Sequence, residues 1–312
     1  MIKKYIKIVC LLVSVVMLFC SCSSLSLVKE YYSFTDDNNQ TITLYSKPQK
    51  VAVLFSSLAE LWMISGGKVD ITVKETIERG ICEENVLLVD DGAGKTINAE
   101  LLASYKPDFI IGSVDIAGHN DAYNVLKNAG APFCLMRVEG FSDYLRVLKI
   151  FCEINNNEAA FEQYGTTLEA KINALIKSTK NKEQQKVLFI RSGSSLSSLK
   201  AKSSSQHFAA AMLTELGAIN IADEAKVLID GLNHEEIIKQ NPKIIFIGFM
   251  GDEKAAKQLV NETLSKPEWQ VLDAVKNNRV VFLEKELFQY KPNHRFYEAY
   301  SFLAKSLYGE TD

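Results

Sequence analysis

Histidine and usable cysteine are scarce in this chain. Its 312 residues hold four histidines, His119, His207, His234 and His294, and six cysteines. No two cysteines form a C-x-x-C pair and no His-Glu-x-x-His occurs. Neither a dedicated metal centre nor a dithiol redox site therefore has the spacing it needs. A nucleophile elbow is also missing, as is any paired catalytic constellation, so an extracytoplasmic enzyme is the weaker reading. Basic excess is absent: 35 Lys and Arg face 38 Asp and Glu, for a net charge of −3 and a pI near 5.9. A nucleic-acid binder should instead present a basic face. Gly94-Lys95-Thr96 looks like the end of a P-loop, but Val89 stands where that loop requires glycine.

What is present begins at the N-terminus. Lys3, Lys4 and Lys7 precede an apolar run from Ile8 to Phe19, and small Ser21 precedes Cys22. Charge, a short apolar segment and a small residue are the order of a secretory signal. The run is well short of the ~20 residues a permanent membrane span needs. The Phe-Cys-Ser-Cys sequence resembles a bacterial lipobox, which implies a signal peptide over 1–21 and lipid on Cys22. Bulky Phe19 argues against the competing Cys20. A cleaved, unlipidated secreted protein is the alternative. Residues 22–46, rich in Ser, Asp, Asn and Thr, read as a tether ending in a short edge hairpin. A flexible stretch of that length has a root-mean-square span of roughly 25–30 Å.

Cys82, Cys134 and Cys152 remain after the signal, enough for at most one disulfide. Cys134, in the apolar run Pro132 to Met136, reads as a small buried hydrophobe. Hydrophobic residues make up 47% and charged residues 23%, which suits a folded soluble body. The length favours two lobes over one core.

From Val51 on, apolar strands alternate with helices. Strands are expected at 51–55, 108–112 and 132–136, and again at 186–190, 244–247 and 280–283. Such alternation implies parallel sheet covered by helices. Between the two groups, Phe161, Tyr164, Leu168, Ile172 and Leu175 are spaced by threes and fours with no proline. That pattern predicts one long helix, of which ~20 residues would span ~30 Å. The expected fold class is therefore α/β, two doubly wound lobes joined by a single long helix. Its parts are an N-terminal lobe over 47–153, a linking helix over 154–182 and a C-terminal lobe over 183–312. The lobes echo each other, since Asn98-Ala-Glu-Leu-Leu and Asn233-His-Glu-Glu-Ile each open a helix that a proline ends before a strand.

Five segments carry a family resemblance: Lys50 to Glu60, Asn98 to Gly112, Glu215 to Ala222, Pro267 to Phe282 and Lys291 to Tyr300. Together they resemble the solute-binding proteins of ABC importers for ferric siderophores, haem and cobalamin. The resemblance implies two α/β lobes on one rigid helix with small closure, a monomer, no cofactor, and an iron chelate, haem or corrinoid as ligand. It implies an ABC permease and its ATPase as partners, an extracytoplasmic place at the membrane, and docking roles for Glu100 and Glu235. An acidic residue in a first helical turn also complements the helix dipole, so a capping role fits both glutamates too.

Ligands of open α/β sheets bind beyond the carboxyl ends of the strands. The loops there are 55–57, 113–120, 137–140, 191–207, 249–252 and 287–294. Their candidate ligand contacts are Ser56, Ser57, nearby Trp62, His119, Arg137 and Arg191, with His207, Phe249, Met250, Tyr290 and Lys291. Arginine and lysine suit carboxylate or catecholate oxygens, and aromatic and methionine side chains suit an organic face. His119 and His207 are candidate axial ligands to haem iron or cobalt. Trp62, at helical spacing with Leu58 and Leu61, also reads as core.

Overall fold

A computed structural model describes residues 29–90, 96–195, 198–225, 228 and 232–309. The signal peptide, Cys22 and Gly94-Lys95 lie outside the described residues. No described helix is long and apolar enough to cross a membrane.

The chain opens with an antiparallel hairpin, β1 (Tyr32–Thr35) and β2 (Thr41–Leu44), which is a sheet of its own rather than the edge of a larger one. It is fastened to the lobe beside it. Tyr31 donates to the Ile154 carbonyl at 2.7 Å, and buried Asp36 accepts from the Leu135 amide at 2.9 Å. Any free tether must therefore end before Tyr31.

The first large sheet contains β3 (Val51–Val53), β4 (Ile71–Thr72), β5 (Leu87–Leu88), β6 (Phe109–Ser113) and β7 (Phe133–Met136). All pairs are parallel in the order β5-β4-β3-β6-β7, so the winding reverses between β3 and β6. The second contains β8 (Lys186–Ser192), β9 (Lys200–Ala201), β10 (Ile219–Asn220), β11 (Ile244–Phe249) and β12 (Val280–Phe282). Its parallel order is β10-β8-β11-β12, with β9 antiparallel on β8 and the reversal between β8 and β11. The α/β class is as the alternation implied.

Side chains alternate across each strand and so serve two cores. Val51, Val53, Phe109 and Ile111 of the first sheet share one cluster with Val187, Phe189, Ile244 and Phe246 of the second. Ala52, Ile71 and Ile110 face a separate core in the first lobe, as Leu188, Ile245 and Ile247 do in the second. The lobes are thus joined by a common apolar core. Its closing piece is the last helix, Phe296–Tyr308, whose Phe296 ring packs 5.3 Å from Phe141 and 5.5 Å from Tyr144.

The linking helix expected over 154–182 is helical from Glu158 to Thr179, but not as one uninterrupted α-helix. Glu158–Phe161 and Thr167–Thr179 are α-helical, but Glu162–Thr166 between them is a π turn. Gly165 lies inside it, where a Cβ would come 2.9 Å from the Phe161 ring. Tyr144 donates to the Tyr164 carbonyl at 2.8 Å within the same turn. Interior π turns arise where such a local constraint interrupts the α ladder.

Candidate functional site

Both winding reversals open toward the space between the sheets. The segments after β3, β6 and β7 meet those after β8 and β11, with residues 289–291 between them. They enclose a cavity of about 580 Å³ lined by Asp115, Glu139, Arg191, His207, Phe249 and Lys291, among others. A smaller cavity of about 170 Å³ shares Asp115, Glu139 and Lys291 and reaches Phe55 and Ser57.

Its two walls differ in charge. On the first lobe, Asp115 is held by Arg137, whose Nε lies 3.0 and 3.2 Å from the two carboxylate oxygens. Glu139 pairs with Lys291 at 3.1 Å. On the second lobe, Arg191 contacts the sulfur of Met250 and has no carboxylate partner among the described residues. His207 stacks between Phe189 and Phe208, with ring centroids at 4.6 and 4.9 Å. Burial, and then the charges of Lys291, Arg191 and Lys202, push its pKa down to about 3. The imidazole is therefore neutral at physiological pH. Its Nδ1 accepts from the Ala209 amide at 3.2 Å, capping the helix Phe208–Glu215, so the ring proton sits on Nε2. A protonated Nε2 donates hydrogen bonds and cannot ligate a metal, which removes His207 as an axial ligand in this arrangement.

Other residues singled out in the sequence lie elsewhere. His119 is fully buried, and its Nδ1 accepts from the Ser113 amide at 3.0 Å. It braces the end of β6 and lines neither cavity. Trp62 is 1% exposed, donates to the Lys68 carbonyl at 3.0 Å and packs edge-on against Phe109 and Phe151. Helical spacing with Leu58 and Leu61 placed it correctly in the core, and it lines neither cavity. Ser56 is buried between Glu75 and Arg79, while Ser57 accepts from Arg79 at 3.3 Å and borders the smaller cavity. Tyr290 lines neither cavity and lies under the Arg79 guanidinium at 4.2 Å. Arg137 and Met250 stand exposed.

Glu100 and Glu235 occupy equivalent places. Each is exposed and is the second residue of its helix, Ala99–Ser104 or His234–Gln240. Asn98 and Asn233 cap those helices by accepting from Leu101 and Glu236, both at 2.9 Å. Neither glutamate has an ion pair among the described residues.

Sequence reasoning passed over Asp115, Glu139 and Gln289, all on the loops named for the cleft. It also missed a buried network behind it. Arg79 contacts Glu60 at 3.2 Å and Ser56 at 3.0 Å, and Asn293 donates to the Ser57 carbonyl at 2.9 Å and to Glu60 at 3.1 Å. Among the described residues no group of three or more His, Cys, Asp or Glu could hold a metal ion, and Cys82, Cys134 and Cys152 are free thiols.

No curated protein matches the chain in sequence. Solved structures do match in fold. Staphylococcus aureus SirA complexed with staphyloferrin B is 20% identical, with a TM-score of 0.70 over 90% of this chain and 100% of that one. Staphylococcus aureus IsdE complexed with heme is 16% identical, with a TM-score of 0.66 over 83% and 98%. An ABC transporter substrate-binding protein from Listeria monocytogenes is 19% identical, with a TM-score of 0.69 over 85% and 100%. Residues 51–287 match the family model described as periplasmic binding protein, and the chain belongs to that family.

Proposed function

We infer that this protein is the extracytoplasmic solute-binding lipoprotein of an ABC importer, and that it carries an anionic iron complex of the ferric siderophore type to the permease. The observation that carries this reading is the cationic second-lobe wall. Arg191 and Lys291 line the cavity with a neutral, hydrogen-donating His207, and Lys202 stands near enough to act on that ring. The set suits carboxylate or catecholate oxygens. The staphyloferrin B complex of SirA supports a siderophore on this fold. IsdE carries heme on the same fold, but His207 with its proton on Nε2 favours a chelate already saturated by its own oxygens. The protein acts as a carrier and not as an enzyme.

Titration calorimetry with ferric citrate, a ferric hydroxamate and haem tests the reading. A ferric chelate should bind below ~10 μM, which corresponds to about −7 kcal/mol, and more tightly than haem. If none of the three reaches that affinity, the iron-complex reading falls.

Delivery rests on Glu100 and Glu235, exposed and equivalently capped, as contacts to cations of the permease. Reversing both charges should abolish uptake while leaving ligand affinity intact, and unchanged uptake would refute that role. Lipid on Cys22 would keep the carrier near the permease and raise its local concentration there. Cys22→Ala should then shift the protein from the membrane fraction to the soluble one.

A further inference from the structure

Both cavities of the cleft share one ion pair, Lys291 with Glu139 at 3.1 Å. The Lys291 side chain is 14% exposed, and beyond Glu139 its ammonium meets the Phe208 ring at 4.8 Å. The Glu139 side chain is 53% exposed and has no second cation among the described residues. Asp115 beside it is fixed by Arg137 at both carboxylate oxygens. One carboxylate of this wall is therefore held at both oxygens, while the other, half in water, can leave its single contact at little cost to itself.

We propose that Glu139 is a built-in competitor for the ligand: its carboxylate neutralises Lys291 in the empty cleft and is displaced by a carboxylate of the incoming solute. This rests on the anionic-ligand reading above and sharpens it to a solute bearing a free carboxylate. The Lys291 side chain is largely sheltered, and a charge removed from bulk water is costly unpaired, so Lys291 keeps a partner in both states. A neutral or cationic solute cannot take that place, because it would leave Lys291 stranded once Glu139 is pushed aside. Gln289 adds a second requirement in the same cavity. Its amide oxygen is buried without a donor among the described residues, so a hydroxyl or N–H on the same solute gives it a partner.

Iron-free citrate, titrated by calorimetry, is the probe. Glu139→Gln should tighten citrate binding by up to about five-fold, the worth of a half-exposed ion pair. Lys291→Met should weaken it at least about ten-fold, the scale of one charge-assisted hydrogen bond. Lys291→Arg should retain binding and so guard against a folding artefact. In the Lys291→Met background, Glu139→Gln should change nothing. Equal tightening in that background would mean simple repulsion, and would overturn the proposal. So would weaker or unchanged binding by Glu139→Gln, or no citrate binding by either wild type or Glu139→Gln. Ferric complexes are titrated separately: if citrate behaves as expected while every ferric complex fails, the iron reading falls and the exchange at Lys291 stands.

Discussion

Two polar junctions hold residues 290–294 against the first lobe, and they use nearly the same chemistry to opposite ends. In one, Glu60 meets Arg79, Asn293 and His294; Asn293 is fully buried and the Arg79 side chain is only 7% exposed. In the other, Glu139 meets Lys291 alone and its side chain is more than half exposed. Removing a partner from a dehydrated pair strands a charge, whereas water readily replaces a partner at the surface. Burial therefore makes the first junction a structural lock and leaves the second free to exchange its partner for a ligand.

The sharpest way to break this contrast is at Arg79. Arg79→Met should cost about 3 kcal/mol in denaturant unfolding, the lower end for opening a buried pair, because Asn293 still donates to Glu60. Adding Glu60→Gln should recover a good part of that loss. If Arg79→Met proves as harmless as a surface change, the buried network is not a lock and the comparison fails.

How much of this was legible in the sequence depended on element length and on burial. The apolar runs of β3, β6, β7, β8 and β11 were readable because covered strands have few polar breaks. The two-residue strands β4, β5, β9 and β10 were not, since so short a segment carries no period. Asn98 and Asn233 announced their helices, as capping residues do. The π turn at Glu162–Thr166 escaped, because apolar spacing continues through it and the Gly165 contact with Phe161 is tertiary. In the cleft, strand ends located the loops, but side-chain type could not report direction. His119 and Trp62 have the chemistry of ligand contacts and the burial of core residues. Asp115 and Glu139 carried no signal, because an anionic solute calls for cations and aromatics rather than carboxylates.

A smaller effect sharpens the comparison at His207, whose neutrality is part of the cleft's chemistry. The unfolded ring protonates near pH 6.5, whereas the folded one does so only near 3. Between these values the unfolded chain binds the additional proton, so this contribution to stability is complete above pH 6.5. It is lost as pH falls, by about 1.4 kcal/mol per unit. His207→Asn preserves a side-chain oxygen for the helix cap and removes the titration. Urea midpoints measured from pH 7 to pH 5 should therefore fall less steeply for His207→Asn than for wild type. Parallel slopes would show that the wall does not hold His207 neutral.

The smallest expected effect lies at Glu139, and its smallness is the point. Glu139→Gln keeps the side chain's size, and the lost carboxylate was half in water. Unfolding free energy should change by less than about 1 kcal/mol, the range of exposed ion pairs. The difference should shrink further in 1 M salt, where the screening length falls to about 3 Å. Lys291 remains sheltered against Phe208, so an anion from solution can serve it once Glu139 no longer does. A denaturant midpoint displaced by as much as that of Arg79→Met would mean that Glu139 braces the lobes as Glu60 does. The two junctions would then differ in exposure but not in role, and ligand exchange at Lys291 would have to be paired with opening of the lobes.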